Sequence, residues 1–236
     1  MSDRVLSRRE ALALIGASGA ALLTAQLPAR AAAPSASPSC VARPQQTEGP
    51  FFVEEELDRS DIRSDPRTGA VKPGVPLRLT FKVSRMSGAS CSALAGAKVD
   101  LWQCDATGRY SDARNRGSSS VGEKFLRGYQ QTDSAGTAQF LTIYPGWYGG
   151  RAVHVHFKIR AAARSAPAYE FTSQLYFDDA LSDRVYAVAP YAAGGRRSMR
   201  NADDFLFRDG GGQLLLDPVQ DAQGYAATFD IGLQMA

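Results

Sequence analysis

The feature that most constrains this chain is a series of short segments in which apolar and polar residues alternate, divided by glycine- and proline-bearing turns. Leu77, Leu79, Phe81 and Val83 alternate with Arg78, Thr80 and Lys82, the two-residue period of a strand with one face buried. Further strands are predicted over Lys98–Cys104, Ala138–Ile143, Val153–Ile159, Phe171–Phe177 and Tyr225–Leu233. Turn signals separate them at Pro73-Gly74, Asp133-Ser134-Ala135-Gly136, Gly149-Gly150 and Gly210-Gly211-Gly212. Only residues 183–189, stopped by Pro190, read as a short helix. With no long amphipathic helix, a βαβ fold is disfavoured. The pattern predicts an all-β fold, a sandwich or barrel of mixed or antiparallel strands with long loops and little helix.

Residues 1–33 stand apart from that pattern. Arg4, Arg8 and Arg9 precede a weakly apolar run over residues 11–29 that carries no charge, and Ala29-Arg30-Ala31-Ala32-Ala33 offers a cleavage-like site. This order is that of a secretory signal peptide, and Ser7-Arg8-Arg9-Glu10-Ala11-Leu12 resembles a twin-arginine signal. A retained membrane anchor is the competing reading. The expectation is export to the periplasm or beyond, with a signal over residues 1–33. A single domain over residues 34–236 would open with an extended, proline-bearing arm and contain no further membrane span. An oxidising compartment would let two of Cys40, Cys91 and Cys104 pair, the third remaining a buried thiol.

Composition narrows the chemistry. The net charge of +3, from 27 Lys+Arg against 24 Asp+Glu, is too slight to imply a nucleic-acid partner. The chain has 2 His, which excludes any site built on four imidazoles. Both lie in His154-Val155-His156. On a strand, residues i and i+2 share a face, so the imidazoles project together while Val155, Phe157 and Ile159 face apolar packing. Such a pair is a ready start for a metal site; the bland alternative is a polar strand face that carries His. Zinc would ask for a Cys or carboxylate in addition, and non-haem Fe(II) for a carboxylate. Phenols are the other candidates. Tyr144-Pro145-Gly146-Trp147-Tyr148-Gly149-Gly150-Arg151 forms a loop before the His strand, and Tyr110 follows the strand over 98–104. A free phenol titrates at about 10, but a hard trivalent cation holds it as phenolate at neutral pH. Two phenolates with two imidazoles favour Fe(III). By spacing alone, Tyr110, Tyr144 and Tyr148 all remain open.

Longer strings then become specific. They are Gln46-Thr47-Glu48-Gly49-Pro50-Phe51, Val99-Asp100-Leu101-Trp102-Gln103-Cys104-Asp105 running to Gly108-Arg109-Tyr110, Arg127-Gly128, Thr132-Asp133 with Gly136, Thr142-Ile143-Tyr144-Pro145-Gly146-Trp147-Tyr148, Arg151, His154-Val155-His156-Phe157 and Thr172-Ser173-Gln174-Leu175-Tyr176-Phe177. Over most of residues 44–192 the chain resembles the intradiol ring-cleavage dioxygenases, the catechol and protocatechuate dioxygenase family. The resemblance implies a transthyretin-like β-sandwich core. It implies a mononuclear, non-haem Fe(III) held by Tyr110, Tyr148, His154 and His156, with Tyr144 the competitor of Tyr148. The substrates implied are a catechol-type ring and O2, both oxygen atoms entering the ring as it opens to a muconate-type diacid. Tyr148 would leave the metal and accept a substrate proton, while Tyr110 stays. Arg151 would set a fixed cation near developing charge, and Gln174 would face the site from its strand.

Other readings stand beside this one. A non-catalytic transthyretin-like module is suggested by Gly96-Ala97 before one strand and the Asp133-Ser134-Ala135-Gly136 turn before another. A sandwich holding copper or zinc is a third. Glu54-Glu55-Glu56 reads as a solvated acidic run, Glu48 as a residue near the mouth, Arg196-Arg197 as a loop, and Asp178-Asp179 as a turn. The identity of the catechol stays open, as does the subunit count, a homo-oligomer included.

Overall fold

A computed structural model describes residues 41–88, 90–115, 118–162 and 169–235, apart from the side chains of 115 and 118. All described residues belong to one compact unit, Ser37–Ala236; the signal-peptide reading of residues 1–33 lies outside the described residues.

Strand β1 (Pro76–Ser87) carries the predicted alternation, with Leu77, Leu79, Phe81 and Val83 buried. It is the spine of a mixed sheet. Strand β11 (Gly224–Gln234) pairs with it in parallel, from Leu77↔Tyr225 to Met86↔Gln234. On its other side, β7 (Thr137–Ile143) and β2 (Ser90–Ala93) pair antiparallel with its first and second halves. Strand β10 (Val219–Asp221) lies beyond β11. The second sheet is antiparallel, in the order β6 (Arg127–Gln131), β3 (Lys98–Trp102), β8 (His154–Ala161), β9 (Tyr169–Tyr176). A short ribbon joins β4 (Arg114–Asn115) to β5 (Ser118–Ser119). The fold is therefore an all-β sandwich. Between its sheets, Phe81 lies 5.3 Å from Phe157 and Phe157 lies 5.5 Å from Phe229, ring centre to ring centre. Burying each such ring stabilises the fold by roughly 1.5–3 kcal/mol.

Helix α1 (Asp179–Tyr186) starts four residues ahead of the expected 183–189. The cause is Asp178, whose carboxylate accepts the Leu181 N–H at 3.0 Å and so caps the first turn. Asp178-Asp179 is thus a helix start rather than a plain turn. A second short helix, α2 (Phe205–Arg208), is capped in the same way by Asp204. Arg197 lies in a loop, as expected, and pairs with Asp179 at 2.6 Å and Asp183 at 2.8 Å.

The arm runs over the outer face of the second sheet. The Gln46 N–H donates to the Thr172 carbonyl and the Gln174 amide to the Thr47 carbonyl, both at 3.0 Å. Glu54 and Glu56 are exposed, as a solvated run would be, while the Glu55 side chain is buried, and the run also acts as a clamp. Glu54 accepts from Arg160 at 2.6 and 2.8 Å and from Lys98 at 2.9 Å, and the buried Glu55 carboxylate pairs with Lys124. Glu48 pairs with Lys158 of β8. Strand β8 is in consequence buried on both faces: Val155, Phe157 and Ile159 enter the core, while His154, His156 and Lys158 lie beneath the arm. Cys91 is disulfide-bonded and Cys104 is a free, buried thiol. Among the described residues no helix is long and apolar enough to cross a membrane.

Candidate metal centre and active site

Two loops and one strand bring together the residues singled out by sequence. Strand β8 presents both imidazoles on one face, with His156 opposite Trp102 of β3 and Gln174 of β9. Tyr110 comes from the loop after β3 and Tyr148 from the loop before β8. These loops interlock through glycine. A Cβ on Gly108, at φ +82, would lie 2.1 Å from the Trp147 carbonyl oxygen, and one on Gly146 would lie 2.2 Å from that of Asp105. No side chain fits at either point, so the backbones touch and the two phenols are carried to one place.

That place is His154 Nε2. Tyr148 Oη lies 3.1 Å from it, Tyr110 Oη 3.3 Å and His156 Nε2 3.1 Å. The His154 Nδ1–H donates to the Ala152 carbonyl at 2.7 Å, which leaves the Nε2 lone pair pointing inward. The His156 ring stacks on Trp102, 5.0 Å away and 6° from parallel. The Tyr110 ring stacks under Phe51 of the arm at 4.2 Å. Tyr144 is not part of the cluster. Its hydroxyl meets Ser182 at 2.8 Å, in a buried group with Tyr186 and Tyr191.

Arg151 turns inward because β8 begins only at His154, so strand alternation does not apply to it. Its Nε donates to Asp204 at 2.9 Å, and a terminal nitrogen reaches the Gln174 side-chain oxygen at 2.6 Å and Tyr176 Oη at 3.3 Å. Tyr176 donates in turn to Gln46 of the arm at 2.8 Å. Sequence reading missed Asp204, Tyr176 and Trp102. Tyr176 was recoverable, since it shares strand parity with Gln174; Asp204 gave no local signal.

Electrostatics keeps the cluster neutral as it stands. Burial pushes the Tyr148 phenol up to about 12 and holds Tyr110 well above the ordinary range. Burial also brings His154 down to about 3 and His156 far below its usual value. Burial opposes the Arg151 charge, but Asp204, Tyr148 and Tyr176 together outweigh it and hold the guanidinium above its ordinary value. Neutral imidazole is the ligand form, and a bound cation reverses the penalty on phenolate. With metal–ligand bonds of about 2.1 Å, ligands at right angles sit roughly 3.0 Å apart, close to the spacings around His154. Among the described residues no three His, Cys, Asp or Glu side chains gather, and the phenols of Tyr110 and Tyr148 lie beside His154 Nε2. A groove of about 740 Å³ on the outer face of the mixed sheet, lined by Arg78, Thr80, Asp217, Val219 and Thr228, contains neither the two imidazoles nor the two phenols.

Comparison with known proteins agrees with the geometry. Residues 47–233 match a family model described as Dioxygenase. The chain is 27% identical over 194 residues to the protocatechuate 3,4-dioxygenase beta chain of Burkholderia cepacia, covering 78% of this chain and 76% of that one. It superposes on the intradiol ring-cleavage dioxygenase from Tetranychus urticae with a TM-score of 0.68 and 30% identity, over 83% of this chain and 94% of that one. The catechol 1,2-dioxygenase from Pseudomonas arvilla C-1 gives a TM-score of 0.56 and 29% identity, over 82% of this chain and 62% of that one. With its sandwich and the family match over most of its length, the chain belongs to the intradiol ring-cleavage dioxygenases.

Proposed function

We propose that this protein is an exported, mononuclear non-haem Fe(III) dioxygenase that opens a catechol-type ring between its two hydroxyl-bearing carbons. One observation carries the reading: Tyr110, Tyr148 and His156 all reach His154 Nε2 within 3.3 Å. Two phenols and two imidazoles suit a hard trivalent ion better than zinc or copper, which favour nitrogen and thiolate donors. When bound, Fe(III) would serve as a Lewis acid and template for a chelating catecholate.

The chain's own residues would divide the remaining work. Tyr148 is partly open to solvent and Tyr110 is 1% exposed, so Tyr148 is the phenol free to swing aside and take a proton from the incoming catechol. Tyr110, pinned under Phe51, stays. Arg151 and Gln174 form a hydrogen-bonded pair beside the imidazoles, and their fixed dipole and charge would favour negative charge developing on the substrate. The arm over His156 limits water. Both oxygen atoms of O2 enter the product, a muconate-type diacid, and no outside reductant is consumed.

Export rests on Arg8-Arg9 and the uncharged run over residues 11–29, and the disulfide at Cys91 suits an oxidising compartment. The test of function is O2 uptake by iron-loaded protein with catechol and isotopically labelled O2. Equimolar uptake with label in a ring-opened diacid is expected. A ring-intact quinone, or no uptake, contradicts the proposal.

A further inference from the structure

Asp204 lies in the segment after α1, and its carboxylate is completely buried, with 0% of the side chain exposed. A buried carboxylate is costly unless paired and hydrogen-bonded. Here three donors hold it. Oδ2 accepts from Arg151 Nε at 2.9 Å and from the Ala152 N–H at 2.8 Å, and Oδ1 accepts from the Leu206 N–H at 2.8 Å. The α2 cap thereby sets the carboxylate, and the carboxylate sets what lies beyond it.

Two consequences reach the candidate metal centre. Engaging Nε fixes the plane of the Arg151 guanidinium, which leaves a terminal nitrogen for Gln174 and Tyr176. Engaging the Ala152 N–H fixes the residue whose carbonyl accepts His154 Nδ1–H at 2.7 Å. A single carboxylate therefore holds both the cation and the peptide that sets the His154 tautomer. Gln46 ties the same segment to the arm, donating to the Leu206 carbonyl at 2.6 Å and the Asp209 carbonyl at 3.0 Å.

We infer that Asp204 is a positioning residue of the ring-cleavage site, acting on the bound catechol through Arg151; the inference rests on the dioxygenase reading above. Asp204→Asn removes the charge. With its amide oxygen in the Oδ2 place it still accepts from the Ala152 N–H and from Arg151 Nε, so the His154 tie remains. Its NH2 then faces the Leu206 N–H and the α2 cap is lost. That cost is shared by both Arg151 backgrounds, whereas the lost ion pair acts only where Arg151 is present.

The experiment compares iron-loaded full chains of wild type, D204N, R151M and the double variant. Catechol turnover, iron content and the catechol dissociation constant from anaerobic spectral titration are read on each. The expected result for D204N is wild-type iron content, kcat lower by roughly tenfold to a hundredfold, and weaker catechol binding. In the R151M background the same substitution should change kcat and the dissociation constant less than about twofold. An equal loss in both backgrounds would assign Asp204 to structure and overturn the inference. So would a D204N chain that fails to fold while R151M folds. If wild type itself neither binds nor cleaves catechol, the dioxygenase reading fails and this inference falls with it, an outcome distinct from the other two.

Discussion

Tyr110 and Tyr148 converge on the same nitrogen, His154 Nε2, from 3.3 and 3.1 Å, yet only Tyr148 has a path to solvent. That asymmetry separates an anchoring phenol from a mobile one. Tyr148→Phe should cut catechol turnover by roughly 10²–10⁴-fold, the usual range for a lost proton acceptor, with part of the iron retained. Iron analysis and O2 uptake check this, and intact turnover would remove Tyr148 from the site.

Tyr144→Phe is the matched control. Its hydroxyl bonds to Ser182 at 2.8 Å, away from the imidazoles. The expected effect is a loss of about 1 kcal/mol of stability, seen in denaturant unfolding, with iron content and turnover unchanged.

Gly108→Ala tests the interlock of the two phenol loops. Gly108 adopts φ +82, and an added Cβ would meet Trp147 backbone at 2.1 Å. The substitution should cost more than about 1 kcal/mol and move Tyr110 relative to Tyr148. Lower iron affinity at unchanged β-sheet circular dichroism is the expected signature.

The arm clamp should be sensitive to acid. Hydrogen bonding to Arg160 holds the Glu54 carboxyl down at about 2, with Lys98 and Glu56 adding to it and burial opposing. Asp100, which shares Arg160, is instead held above its ordinary value by burial. A depressed carboxyl stabilises the fold above its ordinary value of 4.5 and loses that contribution as pH falls through about 2. Titration of the Glu54 carboxyl carbon by NMR should give a midpoint near the lower figure, and a midpoint at the ordinary value would show that the clamp does not form.

Phe81→Ala should destabilise the sandwich by about 3–5 kcal/mol. Phe81 is 0% exposed and meets Phe140 and Phe229 of its own sheet and Phe157 of the other. Chemical denaturation of the metal-free protein reads this directly.

The sequence showed most clearly what periodicity writes locally. Strand β1 was visible because a single buried face imposes strict alternation on Leu77 to Val83. His154 and His156 share a face for the same geometric reason. Strand β6 was hidden because Arg127-Gly128-Tyr129-Gln130-Gln131 is polar; its pairing with β3 is decided by backbone hydrogen bonds and by arm residues such as Arg59, whose Nε donates to the Arg127 carbonyl at 3.0 Å. The choice of Tyr148 over Tyr144 needed the family resemblance, since both phenols occupy one loop and only the fold turns them apart. Asp204 and the roles of Glu54 and Glu55 escaped because their partners lie far along the chain, as the separation of 53 residues between Arg151 and Asp204 illustrates.

The most direct test of the central claim is the visible spectrum of the purified protein before and after anaerobic catechol addition, with metal analysis on the same sample. One iron per chain and a reddish phenolate-to-Fe(III) charge-transfer band that moves to longer wavelength with catechol are the expected result. A protein that stays colourless and iron-free after Fe loading, or that fills with zinc or copper instead, would contradict it.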